Sequence, residues 1–172
     1  MIGDTMRQAI NEQINKELYS AYLYQGMSAW ASGQDLDGVA NWLQIQAQEE
    51  VSHAMKFYRF VLERGGKIEL PAIDAPPSEF ESAQDIFQQT LDHEKKVTAS
   101  IHNLVGVARK ENDYAAEIML QWFVTEQVEE EANAEAILNK IKLVGDKGNG
   151  LFMIDRELAQ RTFTPEAEEG AE

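Results

Sequence analysis

Glu50 and His53 stand three residues apart in "QEEVSHA". On a helix, that spacing sets a carboxylate and an imidazole side by side. Glu17, Glu94 and Glu130 occupy comparable places in three other stretches rich in apolar residues at helical spacing. Carboxylates and imidazoles can move protons, bind cations or simply meet water. Which of these applies depends on whether the elements that carry them turn them outward or toward one another.

Four long segments carry a 3.6-residue apolar period, separated by clear breakers. The first runs from about Asp4, a candidate N-cap, to the turn "ASGQDLDG" at 31–38. The second ends at Gly65-Gly66. The connection "KIELPAIDAPPSEFES" at 67–82 holds three of the four prolines. The third segment covers about 82–109, "KEND" turns the chain, and the fourth ends near 144. After "GDKGNG", a short amphipathic helix is expected at 151–160, and an acidic tail closes the chain at 164–172. Short turns make antiparallel neighbours, whereas the long connection after the second segment can run the length of a bundle. The expected fold is all-α: one domain over 1–172, with a four-helix bundle at about 4–144, one long crossover and a short fifth helix.

Alternating steps of three and four residues trace the inward face of each helix. On the first they pass through Met6, Ile10, Gln13, Glu17, Ser20, Tyr24 and Met27. On the second they pass through Val39, Leu43, Gln46, Glu50, His53, Phe57 and Phe60. The third gives Phe87, Thr90, Glu94, Val97, Ile101, Leu104 and Ala108. The fourth gives Ala116, Leu120, Phe123, Gln127, Glu130, Ala134, Ile137, Ile141 and Val144. Each seam is apolar at its ends and polar in the middle, and none carries Lys or Arg. At about 1.5 Å of rise per residue, the four glutamates fall at similar heights near mid-bundle.

Such a cluster is costly. Two carboxylates ~4 Å apart repel by roughly 4 kcal/mol at an effective dielectric near 20, and desolvation adds several kcal/mol per ion. Without a basic partner on the seams, the acids must bind protons or metal. Four oxygen-donor residues with one imidazole suit iron or manganese better than a tetrahedral structural zinc. Four carboxylates balance two divalent ions, and Glu50, beside His53, is placed to bridge them.

Composition agrees. Thirty acids against 15 Lys and Arg give a net charge of −15, which disfavours nucleic acid and favours cations. The absence of cysteine excludes disulfides and thiolate metal sites. No stretch of ~20 apolar residues could span a membrane, and "MIGDTMRQAINEQ" lacks the basic and apolar regions of a secretion signal. A cytoplasmic protein is expected.

The combination of Glu17 and Tyr24, "QEEVSHA", "DHE" ending at Glu94, and "TEQVEEEA" resembles the prokaryotic non-haem ferritins over nearly the whole chain. The resemblance implies a ferritin-like bundle and an iron-storage ferroxidase that oxidises Fe2+ with O2 or H2O2. Its mineral would be kept inside a homo-oligomeric 24-mer cage. One iron would be held by Glu17, Glu50 and His53, and the other by Glu50, Glu94 and Glu130, with Gln127 close by. A third iron site would use Glu49, Glu126 and Glu129 and share Glu130. Tyr24 matches the tyrosine beside the ferroxidase site, which places it with Glu50 and His53 among the catalytic residues. Trp122 matches a nearby tryptophan. Bacterioferritins carry a second Glu-x-x-His where this chain has Gln127-Val128-Glu129-Glu130, and a haem-ligating methionine where it has Val51. Haem is therefore not expected. The lack of cysteine excludes a rubrerythrin.

Other readings fit parts of the pattern. A helical scaffold could keep the four acids neutral, and a small di-metal oxidase could dispense with a cage. Glu49, Glu126 and Glu129 lie about 100° off the seams, where solvated acids are ordinary. Tyr24 could be a core tyrosine with a bonded hydroxyl, and His93 and His102 read as surface histidines. Tyr19, Tyr22 and Leu23 form an apolar back face on the first helix, which suggests a homo-oligomer.

Overall fold

The computed structural model describes residues 1–164; most of the acidic tail lies outside the described residues. Five helices follow one another: α1 (Asp4–Ser32), α2 (Asp37–Glu63), α3 (Ala83–Glu111), α4 (Tyr114–Val144) and α5 (Asn149–Leu158). There is no strand among the described residues. None of the helices is long and apolar enough to cross a membrane. The expected all-α bundle with one long crossover is what the chain forms.

Local chemistry sets the helix ends. Gly3, not Asp4, is the N-cap of α1: its extended backbone presents its carbonyl to the Arg7 N–H at 2.9 Å. Asp4 instead lies in the first turn, where the helix dipole favours an acid. Gly65 adopts φ +70° after α2, and the Gly66 N–H bonds the Val61 carbonyl at 2.8 Å, a closure that favours glycine. The Ser82 hydroxyl accepts from the Asp85 N–H to start α3, and Asp113 accepts from the Ala116 N–H to start α4. α3 continues two residues beyond the expected 109 and ends on Asn112 in the left-handed region. α5 begins at Asn149, after the positive-φ Gly148, rather than at 151.

The crossover is laid along α1 by side chains. Asn11 donates to the Lys67 carbonyl and accepts from the Glu69 N–H, and Asn15 donates to the carbonyls of Pro71 and Ala72. This carries the chain from one end of the bundle back toward the other, so the α3–α4 hairpin packs against the α1–α2 hairpin. Arg64 makes a two-pronged bond to Asp113, at 3.0 and 3.2 Å, tying the end of α2 to the α3–α4 turn.

Every residue of the four seams is buried except Phe60, which is half-buried, and Val144, which is exposed. The core they build is not continuous. One apolar cluster gathers Tyr24, Trp42, Leu43, Phe87 and Ile141 with Leu151, Ile154 and Leu158 of α5. A second gathers Ile10, Ile14, Phe57, Ile101, Leu120 and Phe123. The four glutamates lie on the seams between them.

α5 docks against the start of α2. Asp155 accepts the Val39 N–H at 2.9 Å, serving one of the free donors of that helix terminus. The backbones approach so closely that a Cβ on Gly38 would stand 1.7 Å from the Asp155 carbonyl oxygen. Gly38→Ala should cost about 1–3 kcal/mol as an overpacking change. Calorimetry should show a lowered melting temperature, and hydrogen exchange should localise the loosening to α5.

Candidate metal centre

Each of the four long helices contributes to one buried polar layer: Glu17 from α1, Glu50 and His53 from α2, Glu94 from α3, and Gln127 and Glu130 from α4. The glutamates are 1–4% exposed. Helical spacing accounts for this, because each acid stands on the inward seam of its helix, which apolar side chains occupy toward the helix ends. Glu17, Glu50 and His53 offer ligand atoms within 4.8 Å of one another. His53 Nδ1 lies 3.5 Å from Glu50 Oε2. His53 also meets the edges of Trp122 and Phe123, with centroid distances of 5.4 and 5.9 Å.

Neutral donors steady the cluster. Gln13 donates to Glu17 Oε1 at 2.8 Å, and Gln46 to Glu130 Oε2 at 2.7 Å. The Tyr24 hydroxyl donates to Glu94 Oε1, and Gln127 Nε2 donates to Glu94 Oε2 at 3.1 Å. Gln127 thus turns its amide nitrogen, not a ligating oxygen, toward the cluster. Among the described residues, no hydrogen-bond donor reaches the buried Oε2 atoms of Glu17 and Glu50. Inside a protein such oxygens must either share a proton or meet a cation. A cation beside an imidazole and several carboxylates satisfies them, so this donor set fits a hard or borderline transition-metal ion.

Electrostatics tell the same story. Burial pushes the Glu17 carboxyl up, and the neighbouring Glu50 adds to it. Burial also raises Glu50, with Glu94 and Glu130 adding their repulsion. Glu94 is raised by burial against the opposing hydrogen bonds of Tyr24 and Gln127. Glu130 is pushed up to about 8, by burial first and Glu94 second. The Tyr24 hydroxyl is raised by burial and by the acids it faces. Ion-free, the layer holds protons; a divalent ion competes with them for the same oxygens.

The other acids singled out in the sequence divide. Glu126 is half-buried and brings a carboxylate oxygen within 4.8 Å of ligand atoms of His53 and Glu130. Glu49, also half-buried, pairs with Arg161. It lies near enough to Glu130 to contribute to that residue's raised pKa. Glu129 is exposed. His102 is exposed as expected, whereas His93 is half-buried. It turns toward α1, where Nε2 is 2.8 Å from the Ser20 hydroxyl and the ring meets the edge of Tyr24. Burial, with Lys96 second, lowers its pKa to about 4. The reason is rotational: one position before Glu94 still faces the α1–α3 groove, where Ser20 leaves room for an imidazole. Gln13 and Gln46 stand on the seams, and their length and amide groups were the available signal for their bonds to Glu17 and Glu130. Arg161, beyond the periodic segments, carried no such signal.

Comparison with known proteins adds a second line. A sequence profile of the ferritin-like domain matches residues 7–144. A probable bacterial non-heme ferritin-like protein of Haemophilus influenzae is 40% identical over 158 residues, which is 92% of this chain and 96% of that protein. A bacterial non-heme ferritin of Staphylococcus aureus is 37% identical over 166 residues, 96% of this chain and all of that protein. Among solved structures, an open-pore ferritin from Archaeoglobus fulgidus superposes with a TM-score of 0.93 at 46% identity, covering 94% of this chain and 99% of that one. A closed form of the same ferritin, engineered by mutagenesis, gives 0.94 at 46% identity, covering 95% and 100%.

The raised carboxyl pKa values fix the sign of a pH effect. Between the ordinary Glu value of 4.5 and about 8, the unfolded chain has lost the Glu130 proton while the folded chain keeps it. The stability this group contributes is therefore complete below about pH 4.5 and is lost as pH rises toward 8. Glu130→Gln should flatten the fall in apoprotein stability across that window, by up to about 1.4 kcal/mol per pH unit. Denaturation at stepped pH on both proteins measures it, and an unchanged slope would count against the buried, protonated Glu130.

Proposed function

The chain belongs to the ferritin family, and from that premise we propose that it is an iron-storage protein whose central carboxylate layer is a dinuclear ferroxidase site. One observation carries this reading. Four helices deliver four buried glutamates and a histidine to one layer, and no lysine or arginine stands on the seams that form it.

Ferrous iron is the substrate. Glu17, Glu50 and His53 take one ion; Glu50, Glu94 and Glu130 take the other, with Glu50 bridging. Protons held by the acids leave as the ions arrive. Each ferrous ion then gives up one electron. The pair thus supplies the two electrons that, with two protons, take O2 to hydrogen peroxide or hydrogen peroxide to two waters. Anionic oxygen ligands favour the ferric product, and their preset spacing lets one oxidant draw on both ions. Tyr24 and Gln127 hold Glu94 from opposite sides. Gln13 and Gln46 fix Glu17 and Glu130, leaving ligand geometry little freedom.

Product moves on through a third ion site made by Glu49, Glu126, Glu129 and Glu130, toward mineral in a cavity enclosed by copies of the chain. Assembly is supported by apolar side chains that one copy leaves exposed. Phe152 and Met153 stand out from α5 at 62% and 72% exposure. Tyr22, Val51 and Ile73 line an open groove between α1 and α2. A 24-mer is the expected size. A cytoplasmic setting, where ferrous iron is at hand, completes the reading.

Fe2+ added to apoprotein in air should give a fast rise in ferric absorbance. Glu50→Ala and His53→Ala should each reduce that rise to the uncatalysed rate, a loss of at least about a hundredfold. A wild-type rate no faster than protein-free buffer removes the enzyme claim. By light scattering, the assembly should have a mass of roughly half a megadalton, as twenty-four 19.4 kDa chains require. A mass near that of a dimer would point instead to a small oxidase.

A further inference from the structure

Arg161 lies three residues beyond α5, and its side chain crosses to α2. Nη2 pairs with Oε2 of Glu49. Nη1 donates to Gln46 Oε1 at 2.9 Å and to the Trp42 carbonyl at 3.2 Å. The guanidinium carbon stands 4.6 Å from the centre of the Trp42 ring, close enough for cation–π attraction. The backbone is fastened too: Asn41 Nδ2 donates to the Arg161 carbonyl at 3.0 Å and to the Leu158 carbonyl at 3.3 Å. One face of α2 therefore holds both the main chain and the side chain of this segment.

Arginine has donors only. Gln46 must present Oε1 to it, which turns Nε2 the other way, where it donates to Glu130 Oε2 at 2.7 Å. A single guanidinium thus neutralises Glu49 directly and orients Glu130 through one amide. Both acids belong to the third ion site proposed above, and the inference rests on that reading.

We propose that Arg161 is the resident cation of the third ion site. It occupies Glu49 when no metal is there and must release it before a third ion binds. Site occupancy and seating of the chain after α5 are then linked, and the linkage is reciprocal. Whatever affinity the ion loses to the guanidinium, the segment loses in anchoring when the ion is bound. Iron leaving the site would be replaced by a charge already in the protein, so the vacated carboxylate is never left bare.

Zn2+, which undergoes no redox change, serves as the probe on the assembled protein. Calorimetric titration of Arg161→Gln should show the third Zn2+ binding roughly twofold to fivefold tighter than in wild type, the range expected for losing a partly exposed ion-pair competitor. The first two ions act as an internal reference. Arg161→Lys should fall between, because an ammonium keeps the charge but not the fork. In wild type alone, hydrogen exchange at 159–164 should quicken when the third ion binds and not when the first two do. This readout needs no variant. A third ion of equal affinity in wild type and Arg161→Gln, with exchange unmoved, overturns the proposal and leaves the third site standing. No third ion in either protein overturns both.

Discussion

Glu17, Glu50, Glu94 and Glu130 approach one another from four helices in a layer that water does not reach, and burial is the first reason their carboxyls hold protons above the usual range. The rest of the bundle is arranged around that repulsion. The apolar core is parted into two clusters, so hydrophobic burial clamps the bundle at both ends while the centre stays polar. The crossover pinned by Asn11 and Asn15, and the Arg64–Asp113 bond, bring the two hairpins into register. Without that register the four acids would not share one height.

The donors around the acids are as telling as the acids. Gln13, Gln46, Gln127 and Tyr24 are neutral. A lysine or arginine in the same places would satisfy the carboxylates and close the site to cations. Amides and a phenol limit how the carboxylates can rotate yet leave their charge uncompensated. The layer is therefore organised for ions before any ion is present, the condition under which little reorganisation accompanies binding. Arg161, at the edge of the layer, reaches Glu49 directly and meets Glu130 through Gln46.

Much of this was legible in the sequence because it is written in one helical period and in the residues that interrupt it. The 3.6-residue repeat fixes which residues turn inward, and all seam positions except Phe60 and Val144 are buried. Gly65, Ser82, Asp113 and the proline-rich stretch carry the connections in local chemistry. Periodicity says nothing of residues just off a seam. His93 depends on Ser20 leaving room across a groove, and Glu49 depends on an arginine 112 residues away. The Asp4 cap was one residue late because the extended Gly3 could already present its carbonyl. Contacts between distant segments, set by packing rather than by spacing, were the part hidden from sequence.

The parted core has a corollary for how such a chain can change. Apolar residues of similar volume in place of buried charges commonly make a protein tougher. For this bundle the easiest route to heat resistance runs through the glutamate layer itself, fusing the two clusters into one. Any lineage or laboratory screen rewarded for robustness alone would drift toward an inert rod of four helices. A chain that keeps its acids forgoes that toughness and retains a centre open to cations.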